Sequence, residues 1–347
     1  MNVLRIPVSE LNLQAVLLNG QWKNIKDAFY GVVEGLLLYV RRLDDERIEW
    51  SCLGRAARSA SIDASVKLRD YFQTTSVQLD ISLSDLWDDW CIDDPFMEQL
   101  RKVKELHGIR ILKQEPLETL LAFICSSNNN ITRISGMVNK LATLYGDPIV
   151  LDEPEQFSHI LERLPVLGFS FPTLSKLAMV QNELTDVLRE QNFGYRAKYI
   201  SETVRQLSQM PPDILDKVQL LPCSEIRTFL RGFAGVGPKV AECVALMSLG
   251  QSQCVPIDRH VFEITKKFFV PTLKDSNLTD ALNRRLMQFY EDKFGAYAGW
   301  AQAVLFNQQL QKYVSAPSIK SQIRSLQSVV KIEKKERKVV KKTRRKR

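Results

Sequence analysis

The segment at residues 229–242, FLRGFAGVGPKVAE, constrains the fold more than any other part of the chain. A helical stretch is followed by the turn Gly235-Val236-Gly237, and Pro238 suits the first position of a second helix. The two glycines allow positive φ and a close approach of backbone to a ligand. The start of the second helix offers unpaired N–H groups and a positive dipole end, which favour an anion such as phosphate. The pattern is typical of a helix-hairpin-helix element, and an ordinary corner between two helices stays the alternative.

Three reactive side chains follow this turn. Lys239 lies at the start of the second helix, Cys243 follows four residues later on the same face, and Asp258 follows nineteen residues after Lys239. The helix dipole and partial burial both disfavour an ammonium ion there, so we expect a lowered pKa for Lys239. A neutral amine can attack a sugar carbon, and a carboxylate can stabilise the cationic sugar. By themselves, a surface lysine and an N-cap aspartate are an equally good interpretation.

Positive charge is concentrated at the end of the chain. The net charge is +8, and residues 331–347 contain eleven Lys/Arg and two Glu, a net of +9, so the rest carries −1. The charge of the body therefore does not indicate nucleic-acid binding. We expect the tail to be disordered, and its blocks Lys341-Lys342 and 344–347 resemble a nuclear localisation signal. A solvated tail with non-specific phosphate affinity is the alternative.

Composition limits the class of protein. Hydrophobic residues at 45% and charged residues at 25% indicate a soluble globular protein, and no apolar run is long enough to span a membrane. The first ten residues do not resemble a secretory signal, so we expect a reducing compartment and six free cysteines. With three histidines and no C-x-x-C pair, we expect neither a metal site nor a cofactor.

The pattern of apolar residues predicts an α+β fold. The pattern predicts β-structure up to about residue 56, with a hairpin tip at 44–46. This part includes the apolar run 11–18 and the β-rich run 30–40. Residues 59–72 and 83–106 read as helices beside this sheet. After residue 111 the pattern is helix after helix. Helices are predicted at 116–125, 131–145, 174–190, 199–210, 224–231, 238–248, 259–268, 278–294 and 298–310. We therefore expect an α+β unit at 1–111, a helical core at 112–312 with the hairpin at 224–249, and a tail at 313–347.

Five ordered segments resemble the eukaryotic 8-oxoguanine DNA glycosylase/AP lyases of the helix-hairpin-helix–Gly/Pro–Asp superfamily. They are PLETLLAFICSSNNNITRISGM at 116–137, FGYRAKYI at 193–200, GVGPKVAECVALM at 235–247, VPID at 255–258 and GAYAGWAQAVLF at 295–306. The resemblance extends from about residue 10 to about residue 310. It implies an N-terminal antiparallel sheet domain with helices, similar to half of a TATA-binding protein, followed by an all-α glycosylase core.

The resemblance also implies roles for individual residues. Lys239 matches the Schiff-base nucleophile and Asp258 the catalytic carboxylate. The residues that match the base pocket are Gly20, Cys243, Gln302 and Phe306; those that match DNA contacts are Asn128, Arg133, Tyr195, Arg196, Gly235, Gly237 and His260. In the family, the glycine carbonyl accepts the N7 proton that 8-oxoguanine has and guanine lacks. Asn-Gly is also simply a good turn, and the polar loop residues could simply be solvated.

Three positions depart from the family pattern. The chain lacks a few residues after Gln21, including an aromatic–arginine pair, and Arg259 replaces an apolar neighbour of the catalytic aspartate. Phe233-Ala234 replaces Leu-Pro before the hairpin. The first departure affects the segment that would identify the lesion.

The resemblance implies a bifunctional enzyme of base excision repair. It would excise 8-oxoguanine opposite cytosine from duplex DNA through a lysine imine and then cut the strand 3′ to the abasic site by β-elimination. We expect a nuclear monomer whose partner is double-stranded DNA containing an oxidised purine, and a mitochondrial pool stays open as an alternative. The alternatives are excision of a different lesion, or an inert DNA-binding protein that uses the hairpin as a phosphate clamp.

Overall fold

The structure, a computed structural model, describes residues 1–18, 21–75 and 82–310. Gly20 and the basic tail lie outside these ranges. Within them, every helix is too short or too polar to cross a lipid bilayer.

An antiparallel sheet forms the N-terminal part. Its strands are β1 (Asn2–Arg5), β2 (Lys23–Ile25), β3 (Ala28–Val33), β4 (Leu36–Arg42), β5 (Arg47–Ala56) and β6 (Ile149–Leu151). The order is β1-β5-β4-β3-β2, and β6 pairs with the end of β5. The predicted hairpin tip between β4 and β5 is confirmed, and Arg47 Nε donates to Asp44 Oδ2 across it at 2.6 Å. The β-rich run 30–40 is two strands, because Glu34 and Gly35 both adopt positive φ in a two-residue turn.

Two short segments differ in type from the sequence prediction, and the predicted set of helices omitted those at 154–163 and 214–218. The apolar run 11–18 contains the helix α1 (Leu13–Leu17) and no strand, because the Asn12 side chain accepts the Ala15 N–H and caps a helical turn. Strand β6 lies within the region that was predicted to be entirely helical. Runs of three to five apolar residues carry too little periodicity to separate a strand from a helix.

Helices make up most of the rest. They are α2 (Ala64–Tyr71), α3 (Leu83–Cys91), α4 (Pro95–Arg101), α5 (Pro116–Ser126), α6 (Ile131–Tyr145), α7 (Pro154–Arg163), α8 (Leu174–Met179), α9 (Gln181–Glu190), α10 (Arg196–Ser208), α11 (Ile214–Val218), α12 (Cys223–Arg231), α13 (Pro238–Ser248), α14 (Arg259–Ile264), α15 (Asp280–Phe294) and α16 (Ala298–Leu310). The predicted α+β class is confirmed. Helix 174–190 is divided at Val180, and α14 continues as a π-helical turn, Thr265–Phe269.

The buried side chains join the two parts of the chain. One apolar cluster lies under the sheet, and a larger one contains Ala15 together with buried residues from Leu83 to Leu305, so α3 and α4 pack with the later helices. Arg110 links the parts, because its guanidinium pairs with Glu10 at 2.7 Å and stacks over Trp300 at 5.3 Å. The boundary at residue 111 stays a prediction.

Candidate active site

The hairpin between α12 and α13 has the predicted positive φ at Gly235 but not at Gly237, whose φ is −88°. Gly235 has φ of +80°, and an added Cβ would lie 2.5 Å from the Tyr199 ring, so this position requires glycine on both counts. Gly237 is the N-cap of α13 and has no side chain to cap the helix. The space in front of its Cα is open. The first turn of α13 therefore presents uncapped N–H groups to solvent, as an anion site requires.

Lys239 lies in that first turn, partly buried, with its Nζ 5.1 Å from the centroid of the Phe123 ring on α5. The prediction of a lowered pKa is wrong. Cys243, and after it Asp258, raise the pKa of Lys239 above its ordinary 10.5 and outweigh the opposing effect of burial. Burial in turn raises the pKa of Cys243, and Lys239 opposes that shift. The effects of Cys243 and Asp258 thus outweigh burial, and Lys239 keeps its proton at neutral pH.

Asp258 is held by backbone. It is the N-cap of α14, and its Oδ1 accepts the N–H groups of His260 at 2.9 Å and Val261 at 3.0 Å. Its Oδ2 accepts no hydrogen bond from the described residues. The charge of Asp258 acts on Lys239 and helps to raise its pKa. One carboxylate oxygen therefore fixes the side chain, and the other can face a reacting group.

A buried ion pair, which the sequence analysis missed, holds the loop before Asp258. Glu242 on α13 is 2% exposed and accepts from Arg227 Nε at 2.6 Å and from the Val255 N–H at 3.1 Å. Arg227 also pairs with Glu291 at 3.0 Å. The loop that carries Asp258 is thereby tied to the helix that carries Lys239. Phe123 was missed in the same way, since each of these contacts joins distant parts of the sequence.

The predicted base-pocket residues of α16 lie beside this site. Phe306 meets the His260 ring edge to face at 6.2 Å, which joins α16 to the start of α14. Gln302, one helical turn before Phe306, is 6% exposed, and its amide makes no hydrogen bond to the described residues. An amide whose donor and acceptor groups are not used by the described residues can bind the polar edge of a ligand. The arrangement suits a polar ring held between an aromatic face and an amide.

Four of the residues predicted to contact DNA gather where the loop before α6 meets the loop before α10; Arg133 lies in the first turn of α6, and Arg196 is the first residue of α10. Asn128 is exposed with φ of +48°, and Arg133 Nη2 donates to the Asn192 carbonyl at 3.1 Å. Tyr195 is 50% exposed, and its hydroxyl donates to the Ser127 carbonyl at 2.9 Å. Arg196 differs from the expectation of a solvated loop residue. It is 3% exposed and donates through Nη2 to the carbonyls of Ser127 and Asn128, while its Nε is buried without a partner.

The predicted lesion-reading residue, Gly20, lies outside the described residues. Its neighbour Gln21 donates from Nε2 to Glu118 Oε1 at 3.1 Å and accepts from the Tyr71 hydroxyl at 3.4 Å. Burial, and after it the charge of Glu115, raises the pKa of Glu118 to about 8. Sequence reasoning also missed Glu118, although it lies in the matched segment 116–137.

Comparison with solved structures gives the class of the fold. A structure described as MBOgg1 in complex with a low-affinity DNA ligand is 27% identical, with a TM-score of 0.70, over 89% of this chain and 96% of that one. A Clostridium acetobutylicum 8-oxoguanine glycosylase/lyase, in complex with double-stranded DNA containing cytosine opposite 8-oxoG, has a TM-score of 0.68. It is 24% identical over 87% of this chain and 92% of that one, a likeness of fold. Both likenesses show that the chain has the fold of these two structures.

Sequence comparison gives the family. The sequence model described as 8-oxoguanine DNA glycosylase, N-terminal domain, matches residues 3–120. The N-glycosylase/DNA lyase OGG1 of Arabidopsis thaliana is 35% identical over 315 residues, 88% of this chain and 80% of the plant protein. The N-glycosylase/DNA lyase of Saccharomyces cerevisiae is 34% identical over 88% of this chain and 85% of the yeast protein. The chain belongs to the OGG1 family of N-glycosylase/DNA lyases, and it is an enzyme.

Proposed function

We propose that the enzyme excises 8-oxoguanine from duplex DNA and then cuts the strand through an imine on Lys239. The observation that carries this proposal is the coupling of Lys239 with Cys243 and Asp258 at the uncapped start of α13. The description of the matching family names 8-oxoguanine, which supports this lesion as the substrate over other damaged bases. An amine nucleophile beside a carboxylate argues against a binding protein without activity.

The chemistry follows from the charges in the site. As the damaged base leaves C1′, positive charge develops on the sugar, and the Asp258 carboxylate stabilises it. Lys239 must lose a proton before its nitrogen can attack C1′, and Cys243 is the neighbour that most affects that proton. The resulting imine acidifies the adjacent sugar carbon, so that β-elimination releases the 3′ phosphate. The base itself must be flipped out of the duplex first.

Recognition of the flipped base is assigned to Gly20, Cys243, Gln302 and Phe306. Phe306 would stack on the base, and the unpaired Gln302 amide would bond to its pairing edge. The phosphate backbone would lie on the uncapped N–H groups at the start of α13, which the Gly235 and Gly237 turn leaves open, and near His260 at the start of α14. We propose that the enzyme acts as a monomer on double-stranded DNA.

When the damaged base flips out, the base opposite it loses its pairing partner. We assign the binding of this orphaned base to the two loops around Asn128 and Tyr195. Tyr195 is exposed after Gly194, which has φ of +62°, and would wedge into the stack. Arg133 and Arg196 are donors only, and cytosine presents acceptors at O2 and N3. Because Arg196 is buried beneath the Ser127 and Asn128 carbonyls, it would hold the loop in shape as well as donate to the base.

This assignment predicts a preference for cytosine. Single-turnover excision on duplexes with 8-oxoguanine opposite each of the four bases should be fastest opposite cytosine. Replacing Arg196 with Ala should cost about 1–3 kcal/mol of that preference, the scale of one good bidentate contact. Arg189→Ala, at an exposed arginine paired with Asp186, is the matched control and should leave the ratio of rates unchanged. Equal rates opposite adenine and cytosine in the unmodified enzyme would refute the assignment.

A second prediction concerns the pKa of Lys239. Replacing Cys243 with Ala removes the largest influence that raises this pKa, so the pKa should fall. The neutral amine then forms at lower pH, and the rate of borohydride trapping on abasic duplex should reach half its maximum at lower pH than in the unmodified enzyme. Cys125→Ala, at another fully buried cysteine, is the control and should not move the profile. A shift to higher pH would contradict the coupling.

We propose that the basic tail directs the enzyme to the nucleus and adds non-specific DNA affinity. A chain truncated after Val330 should lose nuclear accumulation and show a shallower salt dependence of DNA binding. It should keep its single-turnover rate on saturating substrate, because every candidate site residue precedes the tail. A large loss of that rate would assign the tail to the chemistry instead.

A further inference from the structure

Cys223 and Cys254 form a close thiol pair outside the residues that the proposed function uses. Their Sγ atoms are 3.2 Å apart, although 31 positions separate them in the sequence. Cys223 is the first residue of α12, and Cys254 lies in the loop that leads into Asp258. Cys254 is fully buried, whereas Cys223 is partly exposed. The Cys223 sulfur can therefore be reached from solvent, and the buried Cys254 sulfur lies in contact with it.

The charges around the pair differ for the two sulfurs. The hydrogen bond with Cys254 lowers the pKa of Cys223 against the opposing effect of burial, and Arg227 lowers it further. The same hydrogen bond, together with burial, raises the pKa of Cys254. Arg227 Nη2 lies 3.7 Å from the Cys254 sulfur, and the carboxylates of Glu242 and Glu291 face the same cluster. Cys223 is thus the more reactive thiolate, and Cys254 keeps its proton.

We propose that Cys223 and Cys254 are a redox modification site, which hydrogen peroxide or a related hydroperoxide converts to a disulfide. The Cys223 thiolate attacks one peroxide oxygen, so that an S–O bond forms, the O–O bond breaks and a sulfenic acid results. The oxygen that leaves takes a proton and departs as water. Cys254 then attacks the Cys223 sulfur, and the S–O bond breaks. The leaving hydroxide takes the Cys254 proton as a second water, so two thiols are oxidised and one peroxide is reduced.

The geometry needs only a small movement for this reaction. A disulfide bond is about 2.0 Å long, so the sulfurs must approach by about 1.2 Å from their present 3.2 Å. The cross-link would tie the start of α12, the first helix of the hairpin, to the loop before Asp258. Among the other cysteines, burial raises the pKa of Cys52, Cys91, Cys125 and Cys243, which keeps them as thiols and slows their oxidation.

The test uses the full chain, treated with a small excess of hydrogen peroxide. Remaining thiols are then alkylated under denaturing conditions, and peptides are mapped without reduction. We expect two fewer alkylated cysteines, a linked pair of peptides containing residues 223 and 254, and recovery of both thiols with a dithiol reductant. The oxidised chain should also melt several degrees higher, because the cross-link restricts the unfolded chain.

Matched variants separate this pair from general oxidation. Cys223→Ser and Cys254→Ser should each abolish the linked peptides, whereas Cys52→Ser, at another partly exposed cysteine, should keep them. Because Cys223 is partly exposed, its serine variant should fold even if the variant at the fully buried Cys254 does not. Oxidation of Cys223 to sulfinic acid without a cross-link would overturn the proposal. A disulfide between other cysteines in the unmodified chain would overturn it as well.

Discussion

Replacing Lys239 with Gln is expected to abolish covalent trapping and to lower strand cleavage by on the order of 10³-fold or more. The glutamine amide is not a nucleophile, so no imine can form, and β-elimination has no starting point. The variant should still bind lesion duplex, because the uncapped N–H groups of α13 belong to the backbone. The measurement is borohydride trapping and single-turnover cleavage on duplex containing 8-oxoguanine.

Lys217→Gln is the matched control for that variant. Lys217 is an exposed lysine that pairs with Asp213 at 2.9 Å, and its loss should leave trapping and cleavage unchanged. Trapping by Lys239→Gln at the unmodified rate would remove Lys239 from the chemistry.

Replacing Asp258 with Asn is expected to lower the rate of base excision by about 10²–10³-fold. Asparagine is as good an N-cap as aspartate, so the bonds to the His260 and Val261 N–H groups can persist. The substitution therefore removes the charge that stabilises the cationic sugar while it keeps the start of α14. Trapping on duplex that already contains an abasic site should fall less than excision, because no base has to leave.

Asp63→Asn provides the matched control. Asp63 caps α2 through two backbone N–H groups, Ser65 and Val66, in the same manner as Asp258 caps α14, and it lies away from the site. This variant should keep the full excision rate. If Asp258→Asn excised the base as fast as the unmodified enzyme, the carboxylate would have only a capping role.

Local features of the sequence predicted much of the fold. Pro116 and Pro238 mark true helix starts, and the polar stretch 126–130 ends one helix and begins the next. These signals succeed because caps and turns are decided within a few residues. The prediction failed at Leu13–Leu17 and Ile149–Leu151, which are short and take their structure from a single cap and from pairing with β5.

The sequence analysis named candidate residues for the site, but it did not predict how their charges act on one another. Position on a helix suggested a lowered pKa for Lys239, whereas Cys243 and Asp258, brought close by folding, raise it. The Glu242–Arg227 pair and the Phe123 ring also depend on contacts between distant segments. From the sequence, Arg196 was expected to be a solvated loop residue. In the structure it is buried, because it packs beneath the turn at Ser127.

The identity of the residue that attacks DNA tests the central claim most directly. The enzyme is mixed with duplex containing 8-oxoguanine opposite cytosine, the imine is reduced with borohydride, and the adduct is digested and located by mass spectrometry. The account predicts one modified peptide, with the sugar remnant on the side chain of Lys239. An adduct on another lysine or on the amino terminus, with Lys239 unmodified, would contradict it.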